Sequence, residues 1–130
     1  MKTGTYYDQA LRYIDSAEAE LKKSGKDEEG KYYSNKKHVK CAGGIAYAGI
    51  LQAAKWYIAL KGIAINDDAD EREIKTALAK LNRNAYLSFD HFYSYLHCSV
   101  HQHGNSNVFW ITDAMKKARD FIALLKPEKA

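Results

Sequence analysis

Residues 39–60 constrain the fold of this chain more than any other stretch. Val39, Gly43, Ala46, Ile50, Ala53, Tyr57 and Leu60 step by three and four, a heptad seam. From Cys41 to Ala54 the other faces are also apolar or small. A helix that is apolar all round must be enclosed by neighbours. The run "CAGGIAYAGILQAA" is too short to span a bilayer, contains Gln52 and lies between Lys40 and Lys55. It reads as the central helix of a bundle, over residues 36–61, capped by Ser34 or Asn35 and stopped at Gly62.

The glycines inside that helix need a reason, because each costs about 1 kcal/mol of helix propensity relative to alanine. Helical periodicity runs through Gly43, Gly44 and Gly49, so their N–H groups are bonded within the helix and cannot cradle a phosphate. The expected return is close approach of a neighbouring helix. Cys41, at the start of the segment, is expected as a small core residue.

Helical spacing recurs along the rest of the chain. A first helix over residues 5–24 places Tyr7, Ala10, Ile14, Ala17 and Leu21 on one face, with Gly25 as its stop. A short helix over residues 70–81, capped by Asp67 or Asp68, turns Ile74, Ala77, Leu78 and Leu81 inward. "NRN" at 82–84 marks a break before a fourth helix over residues 84–101. After the turn "HGNSN", Asn107 caps a last helix with the seam Val108, Ile111, Met115, Ala118, Ile122 and Leu125. No strand-like alternation outlasts four or five residues. The expectation is an all-α, up-and-down helical bundle of four long helices and one short one, forming a single domain over residues 1–130.

The cysteines, Cys41 and Cys98, lie far apart and in no metal or redox spacing. The start "MKTGTYYDQALRY" has no apolar run of the signal-peptide kind. Both points predict free thiols, a cytoplasmic setting and no membrane partner.

Net charge is a mild +4, and much of the excess sits between Lys22 and Lys40, where seven lysines face Asp27, Glu28 and Glu29. Within it, "KYYSNKKHVK" interleaves aromatics and cations. Lys31, Tyr32, Tyr33, Lys36, Lys37 and Lys40 are therefore the candidate ligand-binding residues, for a nucleotide or RNA whose bases stack on tyrosine and whose phosphates meet lysine.

"HFYSYLHCSVHQHGN" holds four of the five histidines. At 100° per residue, Ala85, Phe89, Phe92, Leu96 and Val100 centre the core face of the fourth helix. Asp90, Ser94, His97 and His101 form a stripe beside it, and His91 and Cys98 a second stripe nearer solvent. His97 and His101, at i and i+4, are the candidate metal ligands. Asp90 stands about 10 Å from His97 along the axis, too far to complete the same mononuclear site. The internal glutamate of HExxH and any Glu-x-x-His pair are missing from the chain. No catalytic residue and no cofactor follow from these spacings.

The "ALRYIDSAEAEL" opening, the "KYYSNKKHVKCAGGIAYAGILQAAKWYIALKG" second helix and the last helix introduced by "HGNSNV" together resemble a small bacterial family of helical-bundle proteins, a domain of unknown function. Its bundle is similar to that of the HEPN domains, the nucleotide-binding domains shared by higher eukaryotes and prokaryotes. The resemblance implies a HEPN-like fold. The wider HEPN group includes metal-independent ribonucleases and partners of nucleotidyltransferases, often as dimers. Its nucleases carry an arginine followed after four to six residues by a histidine. Here Arg83 is followed by seven residues before His91, and Arg12, Arg72 and Arg119 have no histidine at that distance. The expectation is a non-catalytic module acting through a protein partner, a homodimer, or a nucleotide or RNA. The alternative is a metal-binding protein or hydrolase using Asp90, His97 and His101.

Overall fold

The computed structural model describes residues 3–126; Pro127 lies outside them. It is an all-α bundle: α1 (Thr3–Ser24), α2 (Lys36–Leu60), α3 (Glu71–Leu81), α4 (Arg83–Phe92), a π-helical segment (Tyr93–Gln102) continuous with α4, and α5 (Val108–Leu124).

α2 is the hub. It packs against α1, α3, α4, the π segment and α5 alike. No residue from 42 to 58 is fully exposed. That enclosure is what an all-round apolar helix requires. Leu60, the last seam residue, has left the core and is 47% exposed. Ile14, Ile50, Ile58, Ile74, Phe89, Leu96 and Ile122 fill the centre. Each contributes about 1.5–3 kcal/mol by leaving water.

The expected seams of α1, α3 and α5 are buried, save that Leu81 and Val108 stand at the margin. α5 is fastened to α1 at two points of its C-terminal half. The Tyr7 hydroxyl donates to the Leu125 carbonyl, and Arg119 pairs with Asp15 at 2.7 Å and with Glu18.

Capping follows local chemistry. Asn35, Asn82 and Asn107 each accept from a backbone N–H in the first turn of α2, α4 and α5. The cap of α3 is Asp70, which accepts from the Glu73 N–H at 3.0 Å, and not Asp67 or Asp68. Those two lie in a connection that is itself pinned: Ala69 is buried, Ile63 and Ile65 pack on the core, and the Lys55 ammonium donates to the Asp67 carbonyl.

Two departures from the sequence reading concern phase. Cys41 is exposed and does not join the core. It stands about 200° round α2 from the Val39 seam, on the side turned to solvent. Past Phe92 the fourth helix widens to i→i+5 bonding, so a 100° step no longer describes it.

Candidate functional site

Residues 25–35 cross one end of the bundle as a tight reversal. Gly25 and Gly30, both at φ 71, make its turns. The Lys31 N–H donates to Asp27 Oδ1 at 2.9 Å, and the Asp27 N–H to the Tyr32 carbonyl at 2.9 Å. The reversal is then stitched to the start of α5: Tyr33 N–H to Ser106 O at 2.9 Å and Val108 N–H to Lys31 O at 2.8 Å. This backbone pairing, invisible as a sequence pattern, sets residues 31–33 beside residues 106–108.

The six lysines and tyrosines singled out from the sequence part ways here. Lys31 is exposed and paired with Glu29 at 3.1 Å. Tyr32 projects, 49% exposed. Tyr33 turns inward and, with Leu21, Thr112 and Met115, lines a cavity of about 460 Å³; burial pushes its phenol up. Lys36 and Lys40 run their stems over Gly104, where an added Cβ would lie 3.4 Å and 3.1 Å from them. Lys37 is exposed beside the Asn35 cap. The described ion pairs do not include Lys36, Lys37 or Lys40.

Sequence reasoning passed over two residues at this end. Phe109 and Trp110 are 68% and 56% exposed, and their rings meet edge to face at 5.1 Å. The signal was present: they fall between Val108 and Ile111, 100° and 200° off the seam of α5. Large aromatics on the solvent side of an amphipathic helix carry information when they cluster. The pairing of the 31–33 and 106–108 backbones brings the exposed Tyr32 to the start of α5, the turn that carries Phe109 and Trp110.

The histidine segment is organised by stacking. Tyr93, His97 and His101 form one column, with centroids at 5.3 Å and 5.8 Å and ring planes 25° and 28° apart. Tyr47 of α2 backs His97 at 4.9 Å. At the lower end Lys75 sits 4.5 Å over the Tyr93 ring and pairs with Asp90 at 2.8 Å. At the upper end His101 Nδ1–H donates to the Lys40 carbonyl at 2.8 Å.

Glu71's charge, followed by burial and Cys98, pushes the Tyr93 phenol up. Cys98 therefore lies with Tyr93, and His91 stacks instead on Tyr95, at 6.2 Å and 8°. Placing His91 and Cys98 on one stripe rested on α-helical phase, which the wider turn changes.

His97 and His101 are thus neighbours, while Asp90 is held by Lys75. Among the described residues no group of three histidine, cysteine or carboxylate side chains is placed to hold a metal ion. The Gln102 amide lies 3.4 Å from His97 Nε2. Nor, among the described residues, is any helix long and apolar enough to cross a membrane.

The solved structure of a protein of unknown function from Dyadobacter fermentans is similar to this one. It is 24% identical, with 97% of each chain covered and a TM-score of 0.82. At that identity the likeness is one of fold. No curated protein matches the chain. The family model described as "Domain of unknown function (DUF5618)" matches residues 5–127, nearly the whole length. The chain belongs to that family.

Proposed function

We propose that this protein is a non-catalytic binding module that takes single-stranded RNA across the bundle end formed by residues 31–40 and the first turn of α5. The observation that carries this reading is that three exposed rings, Tyr32, Phe109 and Trp110, and the exposed Lys36, Lys37 and Lys40, which form no ion pair among the described residues, lie on or next to two segments joined by backbone pairing. A single strand offers what that surface lacks: unpaired bases to stack on rings, and phosphates to neutralise lysines. The N-terminus of α2 adds its partial positive charge at the same place.

The reading takes the bundle as HEPN-like, from the order of its helices and the turn before α5. It takes the protein as a binding member of that group because the arginine–histidine spacing of the nucleases is missing. It also sets the protein in the cytoplasm, in keeping with two free cysteines, one of them exposed.

Fluorescence anisotropy with a labelled single-stranded oligoribonucleotide tests the proposal. Neutralising about three phosphates gives a slope of log K against log salt near −2, at about −0.7 per phosphate. Lys36→Glu with Lys37→Glu should abolish binding. Trp110→Ala should weaken it about tenfold, from a stacking contribution of about 1–3 kcal/mol per base. Salt-independent affinity, or affinity unchanged in both variants, sinks the idea. Absence of RNA binding together with a dimer lost in Trp110→Ala would make the same surface a protein interface.

A metal-dependent reading rests on one observation, the adjacency of His97 and His101. A native mass spectrum of protein purified without a metal-affinity tag decides it: stoichiometric metal that His97→Ala releases supports it, and bare protein removes it.

A further inference from the structure

At the other end of α2, an open cleft of about 460 Å³ lies between α1, α2 and the 61–70 connection. That volume is within the range of small-molecule sites. Lys55 is nineteen positions beyond Lys36, or about 28 Å along the helix axis, so the cleft is separate from the lysine end.

Its walls are aromatic and apolar: Tyr6, Tyr13, Trp56, Leu51 and Ile65. The Trp56 ring is braced by the edge of Tyr7 at 5.2 Å and by Tyr6 at 5.1 Å. Tyr13 is set by backbone contact: its Cβ would lie 2.7 Å from a Cβ on Gly49, so the glycine lets α1 close on α2 here. The connection on the far side is held by Ala69 and by the Lys55–Asp67 carbonyl bond. The rings are therefore preformed, and their π faces suit a flat aromatic group better than an aliphatic one.

Two polar features converge on the same space. Lys55 is half-buried and takes no part in the described ion pairs; its one described bond goes to a backbone carbonyl. An ammonium has three donors, so two remain. Asp67 reaches the rim, but its carboxylate forms no ion pair with Lys55. Gln52 also lines the cleft; its Nε2 donates to Gln9 Oε1 outside it at 2.7 Å, which leaves the Gln52 carbonyl oxygen as an acceptor.

We propose that this cleft binds a small planar aromatic anion, its ring against Trp56 and Tyr6 and its negative group on Lys55. Carboxylate, sulfonate or phosphate all satisfy the same charge-assisted contact. The Gln52 carbonyl oxygen orients a ring that carries its own donor.

Trp110→Phe leaves Trp56 as the sole tryptophan and provides a local reporter. The probe is 1-anilinonaphthalene-8-sulfonate, with uncharged N-phenyl-1-naphthylamine as its counterpart. Saturable, equimolar binding of the sulfonate with quenching of Trp56 is expected. Lys55→Gln should weaken the sulfonate about tenfold, the loss of a charge-assisted contact, and leave the neutral probe within about twofold. Ala59→Phe, on the exposed rim, should block both while circular dichroism stays unchanged. No binding overturns the proposal. So does binding that survives both substitutions, because the probe then sits on other apolar surface such as that around Leu87 and Leu124. Equal loss of both probes in Lys55→Gln overturns the anion preference and with it the proposal.

Discussion

Tyr95 is the buried polar group with no hydrogen-bond partner among the described side chains. Burial first, and then the charge of Asp113, pushes its phenol up to about 12. A hydroxyl stripped of water and given nothing in return opposes folding, so Tyr95→Phe should stabilise the protein by about 1 kcal/mol. A urea midpoint that rises with an unchanged slope confirms it; a lower midpoint would show that Tyr95 has a partner in solution. At this scale the sequence was a partial guide. Ten tyrosines suit a core margin, ring inside and hydroxyl wet, yet Tyr7 and Tyr47 are buried at 4% and 7% exposure. Which phenol finds an acceptor depends on what another helix presents: the Leu125 carbonyl for Tyr7, nothing for Tyr95. Cys41 failed as a core residue for a related reason. Apolar character was read correctly, but its angle on α2 faces where no neighbour reaches.

Helix contact explains the glycines. A Cβ on Gly43 would meet Val100 Cγ1 at 2.7 Å, the His101 backbone N at 2.9 Å and the Leu96 carbonyl at 3.1 Å. A Cβ on Gly44 would meet the His101 ring at 2.8 Å. The close approach inferred from helical glycines is therefore to the π segment, and for Gly49 to α1. Gly43→Ala should gain about 1 kcal/mol of helix propensity yet be destabilising overall, because backbone atoms cannot step aside and overpacking costs about 1–3 kcal/mol. Gly44→Ala should cost less, since the His101 ring can swing, but should break its bond to the Lys40 carbonyl. Thermal melts order the two variants, and the His101 imidazole NMR signals report the broken bond. Equal stability of Gly43→Ala and the parent would refute the packing argument. The heptad seams made these helices legible. The π bonding was not, because a spacing of four fits the buried Phe92, Leu96 and Val100 in either helix type.

Burial raises the phenols of Tyr7, Tyr47 and Tyr95 together above their ordinary value of 10.0. The folded chain therefore holds protons that the unfolded chain releases above pH 10. Their contribution is intact below that value and is lost as pH rises toward the folded values, about 12 for Tyr95. Lys75, raised by its bond to Asp90, acts in the same direction. The melting temperature should hold steady from pH 7 to 9 and fall steeply above 10. Tyrosinate absorbance should show a group of residues ionising only as the helices melt. Titration of all tyrosines near 10 without unfolding would contradict the buried placement.

Helix number, order and inward faces were determined by the sequence alone, because amphipathic periodicity is local and each seam states which side must leave water. The Asn107 cap was legible for the same reason, Asn35 as one of two candidates with Ser34, and Asn82 only as a break. The working surfaces were not. Tyr32 reaches the start of α5 through a backbone bridge to Asn107, some 75 residues along the chain. The Lys55 cleft needs α1, α2 and the 61–70 connection at once. The histidine column exists because α2 lets the π segment close on it. Periodicity assigns a residue to a face of its own helix, whereas the partner opposite that face is set by how helices distant in sequence pack.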